Sequence, residues 1–139
     1  RFRMKIVLDT NVILSALIKD SLTRKIIRSA EFEFFVPSFS LSEISKYKKH
    51  VCEKSSLTEK QFDALLKNLF ENIEIVPIYF YEEYIKESKK LIFDIKDIPF
   101  LACAIALKAD IWSDDKDFQK QKKIKIYTTQ EFTKKFLKT

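Results

Sequence analysis

No glycine occurs anywhere in the 139 residues. The Walker loop and the dinucleotide fingerprint both need glycine for close backbone approach to phosphate, so nucleotide-cofactor sites of those kinds are excluded. Histidine is nearly absent as well. The single His50 rules out paired-histidine metal sites, and its place after a lysine pair in a charged helical stretch suits a solvated side chain better than a Ser-His-Asp device. Cys52 and Cys103 fit no zinc spacing and fall in helical patterns, so buried reduced thiols and a cytoplasmic setting are expected. No apolar run approaches the roughly 20 residues of a membrane helix, and nothing resembles a signal peptide.

What is present is globular. A chain with 46% hydrophobic residues, 33% charged residues and 13 Phe can build one domain with a sizeable core, expected over residues 4–139. Arg1-Phe2-Arg3 ahead of Met4 reads as an extension, natural or added. The formal charge of +6 suits a polyanionic partner and equally serves solubility.

Residues 5–11, Lys-Ile-Val-Leu-Asp-Thr-Asn, form an apolar run that ends on a carboxylate and turns at once into a helical pattern. Val12, Ile13, Ala16 and Leu17 continue that pattern, and Ile26, Ile27 and Ala30 resume it after a break near Asp20-Ser21. Residues 32–36 read as a second strand stopped by Pro37. Ser40 to Glu43 has the form of a capping box opening a helix with Leu41, Ile44, Tyr47 and Val51 inward. A second box, Thr58 to Gln61, opens the most amphipathic helix, carrying Phe62, Leu65, Leu66, Leu69 and Phe70. Residues 73–78 suggest a third strand and 82–93 a helix with Tyr84, Ile85, Ser88, Leu91 and Ile92 inward. Asp97 caps a helix with Pro99 in its first turn and a small-residue face of Ala102, Cys103, Ala106 and Ala109. Short strands at 111–113 and 124–128 follow, and a helix capped at Thr128 carries Phe132, Phe136 and Leu137. The alternation predicts an α/β fold, a three-layer α/β/α sandwich around a mostly parallel five-stranded sheet.

In such a sheet, ligands gather outside the carboxyl ends of the strands where strand order reverses. Asp9 ends the first strand, Asp114, Asp115 and Asp117 follow the fourth, and Glu43 and Asp97 lie in helical first turns on the same side. Taken singly, each has a plain structural account: Asp9 and Asp97 as caps, Glu43 as a capping-box partner, Asp114 and Asp117 as solvated turn residues. Taken together, carboxylates massed at one edge repel one another and resist desolvation unless a cation joins them. An all-oxygen donor set favours Mg²⁺ or Mn²⁺.

The run Leu8-Asp9-Thr10-Asn11-Val12, the stretch from Pro37-Ser38 to Glu43, and Asp97-Ile98-Pro99-Phe100-Leu101-Ala102 through Trp112-Ser113-Asp114-Asp115-Lys116-Asp117-Phe118 resemble the PIN domain. This is a metal-dependent nuclease family that includes VapC-type toxins, and the likeness spans residues 5–132. It implies a metal-dependent endoribonuclease, possibly the toxin of a toxin-antitoxin pair, that hydrolyses RNA with a metal-activated water and leaves a 5′-phosphate and a 3′-hydroxyl. By the same resemblance Asp9, Glu43, Asp97 and Asp115 hold the ion, Asp117 is a more variable fifth acid, and Asn11 and Ser113 orient the acids. Asp97 is preferred to Asp94, and Asp115 to Asp114, on their spacing to the flanking residues. Lys46, Lys49, Lys116 and Lys120 are placed to grip RNA beside the pocket, with Lys48, Lys122 and Lys123 in the same two runs. An antitoxin protein and a homodimer or higher oligomer are the expected partners, with the helical hairpin near residues 65–70 as their surface.

Three other readings share parts of this pattern. A haloacid-dehalogenase-like phosphatase wants a second Asp where this chain has Asn11. A receiver-like module wants a late lysine after a strand, and a non-catalytic PIN protein would bind RNA or assemble without cutting.

Overall fold

A computed structural model of the chain describes residues 3–18, 21–29 and 31–136. Its strands β1 (Met4–Leu8), β2 (Phe32–Pro37), β3 (Ile73–Val76), β4 (Asp110–Trp112) and β5 (Ile126–Tyr127) form one sheet in the order β3-β2-β1-β4-β5. Every pairing is parallel. Strands of a parallel sheet are covered on both faces and so read as continuous apolar runs. In β1, Ile6 and Leu8 enter one core with Phe34, Val36 and Trp112, while Val7 enters a second core with Phe35 and Ile111.

The first core is closed by α1 (Thr10–Ile18), α2 (Ser21–Arg28), α3 (Phe39–Ser55), α4 (Glu59–Leu69) and α8 (Thr129–Phe136). Phe132 of α8 stacks on Trp112, with ring centroids 4.2 Å apart. The second is closed by α5 (Ile78–Tyr81), α6 (Ile85–Leu91) and α7 (Ile98–Leu107). Ala102, Cys103 and Ala104 of α7 are wholly buried, small side chains that let this helix lie close on β1, β2 and β4. Cys52 and Cys103 are buried and not disulfide-bonded, and burial pushes the Cys103 thiol up to about 12. His50 is exposed. Among the described residues no helix is long and apolar enough to cross a membrane.

Several local expectations need correction. No capping box opens α3: the helix already starts at Phe39, and Ser40 lies inside it, buried, with its hydroxyl drawn to Thr10 at 2.8 Å. Leu41 is exposed rather than inward. The third strand stops at Val76 because Pro77 has no N–H for the ladder, and Ile78 opens α5. The helix expected over 82–93 is a 3₁₀ turn followed by α6, and Phe93 lies beyond it, 93% exposed. β5 loses Ile124 because its N–H donates to Gln121 Oε1 at 2.9 Å. In the hairpin, Leu69 is wholly buried, and Leu65, Leu66 and Phe70 pack partly buried against the first core. Asp20, Ala30 and Leu137 lie outside the described residues, as does the Phe136 side chain.

The boxes at Thr58 and Thr128 do form. Thr58 Oγ1 accepts from Gln61 N at 3.0 Å, and Thr128 Oγ1 accepts from Glu131 N at 3.1 Å.

Candidate metal centre

The chain builds β1, adds β2 and β3 on one side, then crosses to add β4 and β5 on the other, so strand order reverses beside β1. Asp9 stands directly at the end of β1. Its N–H donates to Trp112 O at 3.1 Å, holding it against β4, and its carbonyl accepts from Val12 N at 3.0 Å as α1 begins. The carboxylate is 7% exposed, and Oδ2 accepts a 2.6 Å hydrogen bond from Ser113 Oγ. Ser113 Oγ in turn accepts from Asp115 N at 3.0 Å, so one hydroxyl ties the acids after β1 and β4 together. Burial lifts the Asp9 carboxyl to about 6, against the Ser113 bond and with help from the charges of Asp115 and Glu43.

Glu43 comes in on the second turn of α3. Thr10 Oγ1 donates to Glu43 Oε1 at 2.6 Å. A hydroxyl has one proton to give, so the 2.8 Å contact between Ser40 and Thr10 is a bond donated by Ser40. The relay Ser40–Thr10–Glu43 therefore aims Glu43 into the crevice.

Asp97 occupies the cap position of α7, yet its side chain caps nothing. It is 5% exposed, and its Oδ2 is buried with no hydrogen-bond partner among the described residues. Burial first, then the charges of Asp115, Asp94, Asp9 and Asp117, pushes this carboxyl up to about 8. One turn earlier, Asp94 accepts from Lys96 N at 3.0 Å. One oxygen from each of Asp94, Asp97, Asp115 and Asp117 lies within 4.8 Å of the others.

A cavity of about 170 Å³ opens between these elements, lined by Asp9, Thr10, Asn11, Glu43, Tyr47, Asp94, Lys96, Asp97, Phe100 and Asp115. A larger hollow of about 410 Å³ lies at the amino ends of β1 to β3, where Arg3 pairs with Glu33. It is remote from these acids. The donors in the smaller cavity are carboxylate and hydroxyl oxygens, with no thiol or imidazole. Together with the unpartnered Asp97 oxygen, this chemistry fits a hard divalent cation.

Asp9, Glu43, Asp97 and Asp115 thus share one cavity, while the tight group of oxygens contains Asp97, Asp115 and Asp117 and omits Asp9 and Glu43. Asp94, set aside on the sequence, belongs to that group. Its spacing of three residues from Asp97 in the turn before a helix is the signal that both face one way. Asn11 lines the cavity but is exposed and makes no hydrogen bond to the acids among the described residues; its neighbour Thr10 does that work. Asp114 points elsewhere, accepting from Thr129 N at 2.6 Å and Thr129 Oγ1 at 2.7 Å at the start of α8. Among the lysines, Lys46, Lys49 and Lys116 are exposed. Lys120 pairs with Asp117 at 3.0 Å, and Lys123 with Glu87.

A parallel α/β/α domain with a carboxylate-lined cavity at its strand-order switch defines the class. The PIN-domain profile matches residues 7–136, and the chain belongs to the PIN-domain family. No curated protein matches the sequence significantly. Solved structures share the fold at low identity. VapBC2 from Rickettsia felis, bound to a DNA fragment from its promoter, superposes with a TM-score of 0.67 at 20% identity, covering 90% of this chain and 98% of that one. FitAcB from Neisseria gonorrhoeae gives 0.63 at 14%, covering 88% and 96%. VapBC-1 from nontypeable Haemophilus influenzae gives 0.63 at 17%, covering 90% and 98%.

Proposed function

We propose that this PIN-domain protein is a divalent-metal-dependent endoribonuclease. The observation that carries the reading is Asp97, a buried carboxylate with an unpartnered oxygen among three more aspartates whose oxygens lie within 4.8 Å. Such a group is electrostatically incomplete without a cation. Asp97 and Asp115 would hold the ion, with Asp94 and Asp117 in the same group of oxygens and Asp9 and Glu43 in the same cavity or beside it. When bound, Mg²⁺ or Mn²⁺ supplies Lewis acidity toward a phosphate oxygen and makes a water nucleophilic at neutral pH.

The chain's own groups do the rest. Ser113 fixes Asp9 and Asp115 relative to each other, and Thr10 holds one oxygen of Glu43, leaving the other to accept a proton from an approaching water. Lys46, Lys49 and Lys116 attract the strand to a pocket whose own charge repels it. Asp9→Asn is expected to lower Mg²⁺-dependent cleavage of single-stranded RNA by about 10²-fold or more while the protein stays folded. Undiminished cleavage by this variant would sink the assignment. Products should carry 5′-phosphate ends.

A protein partner belongs to the same reading. Ile78, Tyr79 and Phe80 of α5 are 54%, 69% and 55% exposed, an apolar surface suited to a second copy of this chain. An antitoxin segment with a basic side chain suits the acid cavity, and a cytoplasmic setting suits both. Light scattering that shows only monomer at rising concentration would contradict the self-association.

A further inference from the structure

A second hollow adjoins the acid cavity. It has a volume of about 220 Å³ and is lined by Phe39, Ser42, Glu43, Lys46, Tyr47 and Lys96. Glu43, Tyr47 and Lys96 line both spaces, so the hollow begins where the acids end. We infer that it seats one nucleotide of single-stranded RNA beside the scissile phosphate, with Lys46 and Lys96 on the phosphate and the Tyr47 ring against the base. This inference rests on the nuclease reading and adds to it where the strand lies.

Lys46 and Lys96 are set apart by lining this hollow while held in no ion pair among the described residues. Lys48, next to Tyr47, is held by Asp63 at 2.7 Å and Glu59 at 3.5 Å, and Lys120 and Lys123 are held by Asp117 and Glu87. Each release of a counterion by a phosphate contact favours binding, and lysines not already paired give that gain in full. Lys46 and Lys96 come from separate elements, α3 and the turn before α7, and both line this hollow.

The aromatic part is equally placed. Tyr47 is half-buried and packs on the first core, so its ring is held with little conformational freedom left to lose. Lys46 Nζ lies 5.7 Å from the ring centroid, a surface contact that a long side chain leaves easily for a phosphate. On the other wall, Phe39 of this hollow meets Phe100 of the acid cavity edge-on at 6.3 Å, so the two spaces share packed aromatic lining. A base reaches such a ring only when unstacked and unpaired, which selects single strands, loops or bulges over duplex.

The test measures binding of a short fluorescein-labelled single-stranded RNA by anisotropy in Ca²⁺, across a salt series, with cleavage in Mn²⁺ run in parallel. Lys46→Ala and Lys96→Ala should each weaken binding and reduce the slope of log K against log salt by about 0.7. Tyr47→Leu, which keeps packing but removes the ring, should weaken it roughly tenfold, while Tyr47→Phe binds as the native protein does. Native-like melting temperatures in all four variants exclude misfolding. If the native protein binds and cuts RNA while the Lys96→Ala and Tyr47→Leu variants match it in affinity and slope, the nucleotide seat is overturned and the nuclease reading stands. If the native protein neither binds nor cuts, both fall together.

Discussion

Ser113 explains more of the site than its size suggests. Its hydroxyl donates to Asp9 and accepts from the Asp115 N–H, so the ends of β1 and β4 share one proton-bearing atom. Groups that orient a metal ligand typically contribute 10- to 100-fold in affinity or activity. Ser113→Ala is therefore expected to lower Mn²⁺ affinity by about tenfold or more, read by titration calorimetry; an unchanged affinity would show that the backbone alone positions Asp9. Asp9, Glu43, Asp97 and Asp115, which line one cavity, could be picked out in the sequence because each lies soon after a strand or near a helix start, while Asp94 could not. The resemblance pointed to Ser113 as an orienting group, whereas nothing local pointed to Thr10 or Ser40. Thr10 and Ser40 are separated by 30 residues, and a hydroxyl relay across that distance leaves no local pattern. The capping-box form of Ser40 to Glu43 pointed the wrong way for the same reason, since tertiary hydrogen bonding displaced the local one.

Among the elements, the absence of glycine has a cost at helix ends. A left-handed residue commonly closes a helix and is usually glycine, because a β-carbon is crowded there. Here Ser56 after α3 and Lys108 after α7 take that conformation at φ 59° and 56°. Lys108→Gly is expected to raise stability by about 0.5–1 kcal/mol in urea unfolding. A loss of stability instead would mean that the Lys108 side chain contributes contacts exceeding the backbone relief. The elements themselves were largely readable, since an apolar run stopped by Asp9, the Thr58 box and the small-residue face of α7 are local signals. The boundaries that failed were decided by single side chains: Pro77 ended β3, and Gln121 took the N–H that Ile124 needed for β5.

For the molecule as a whole, the parallel sheet concentrates negative charge at one edge of a chain whose overall formal charge is +6. Carboxyls raised in the fold bind protons more tightly folded than unfolded. The stability they contribute is thus complete below their ordinary 3.8 and drains away as pH rises through about 6 for Asp9 and about 8 for Asp97. The metal-free protein should melt at progressively lower temperature from pH 5 to 8. A divalent ion binds the deprotonated form, so Mg²⁺ or Mn²⁺ should raise the melting temperature more at pH 8 than at pH 5. Asp97→Asn should flatten both trends; a variant that keeps them would place the burden on other groups.

The fold class followed from sequence because alternating strands and helices allow few other arrangements, and all five strands proved parallel. What needed three dimensions was the meeting of Asp94 with Asp115 and Asp117, and the placing of Lys46 and Lys96 along one hollow, by elements far apart in the chain.

Metal-dependent phosphodiester cleavage is open to direct measurement. The protein is stripped with EDTA, then assayed on 5′-labelled single-stranded RNA as Mn²⁺ is added back, alongside Asp9→Asn. The expected result is no cutting without metal, saturable cutting with it, and little or none in the variant at any Mn²⁺ concentration. Cleavage that persists in EDTA, or that Asp9→Asn retains in full, would contradict a metal centre built on these acids.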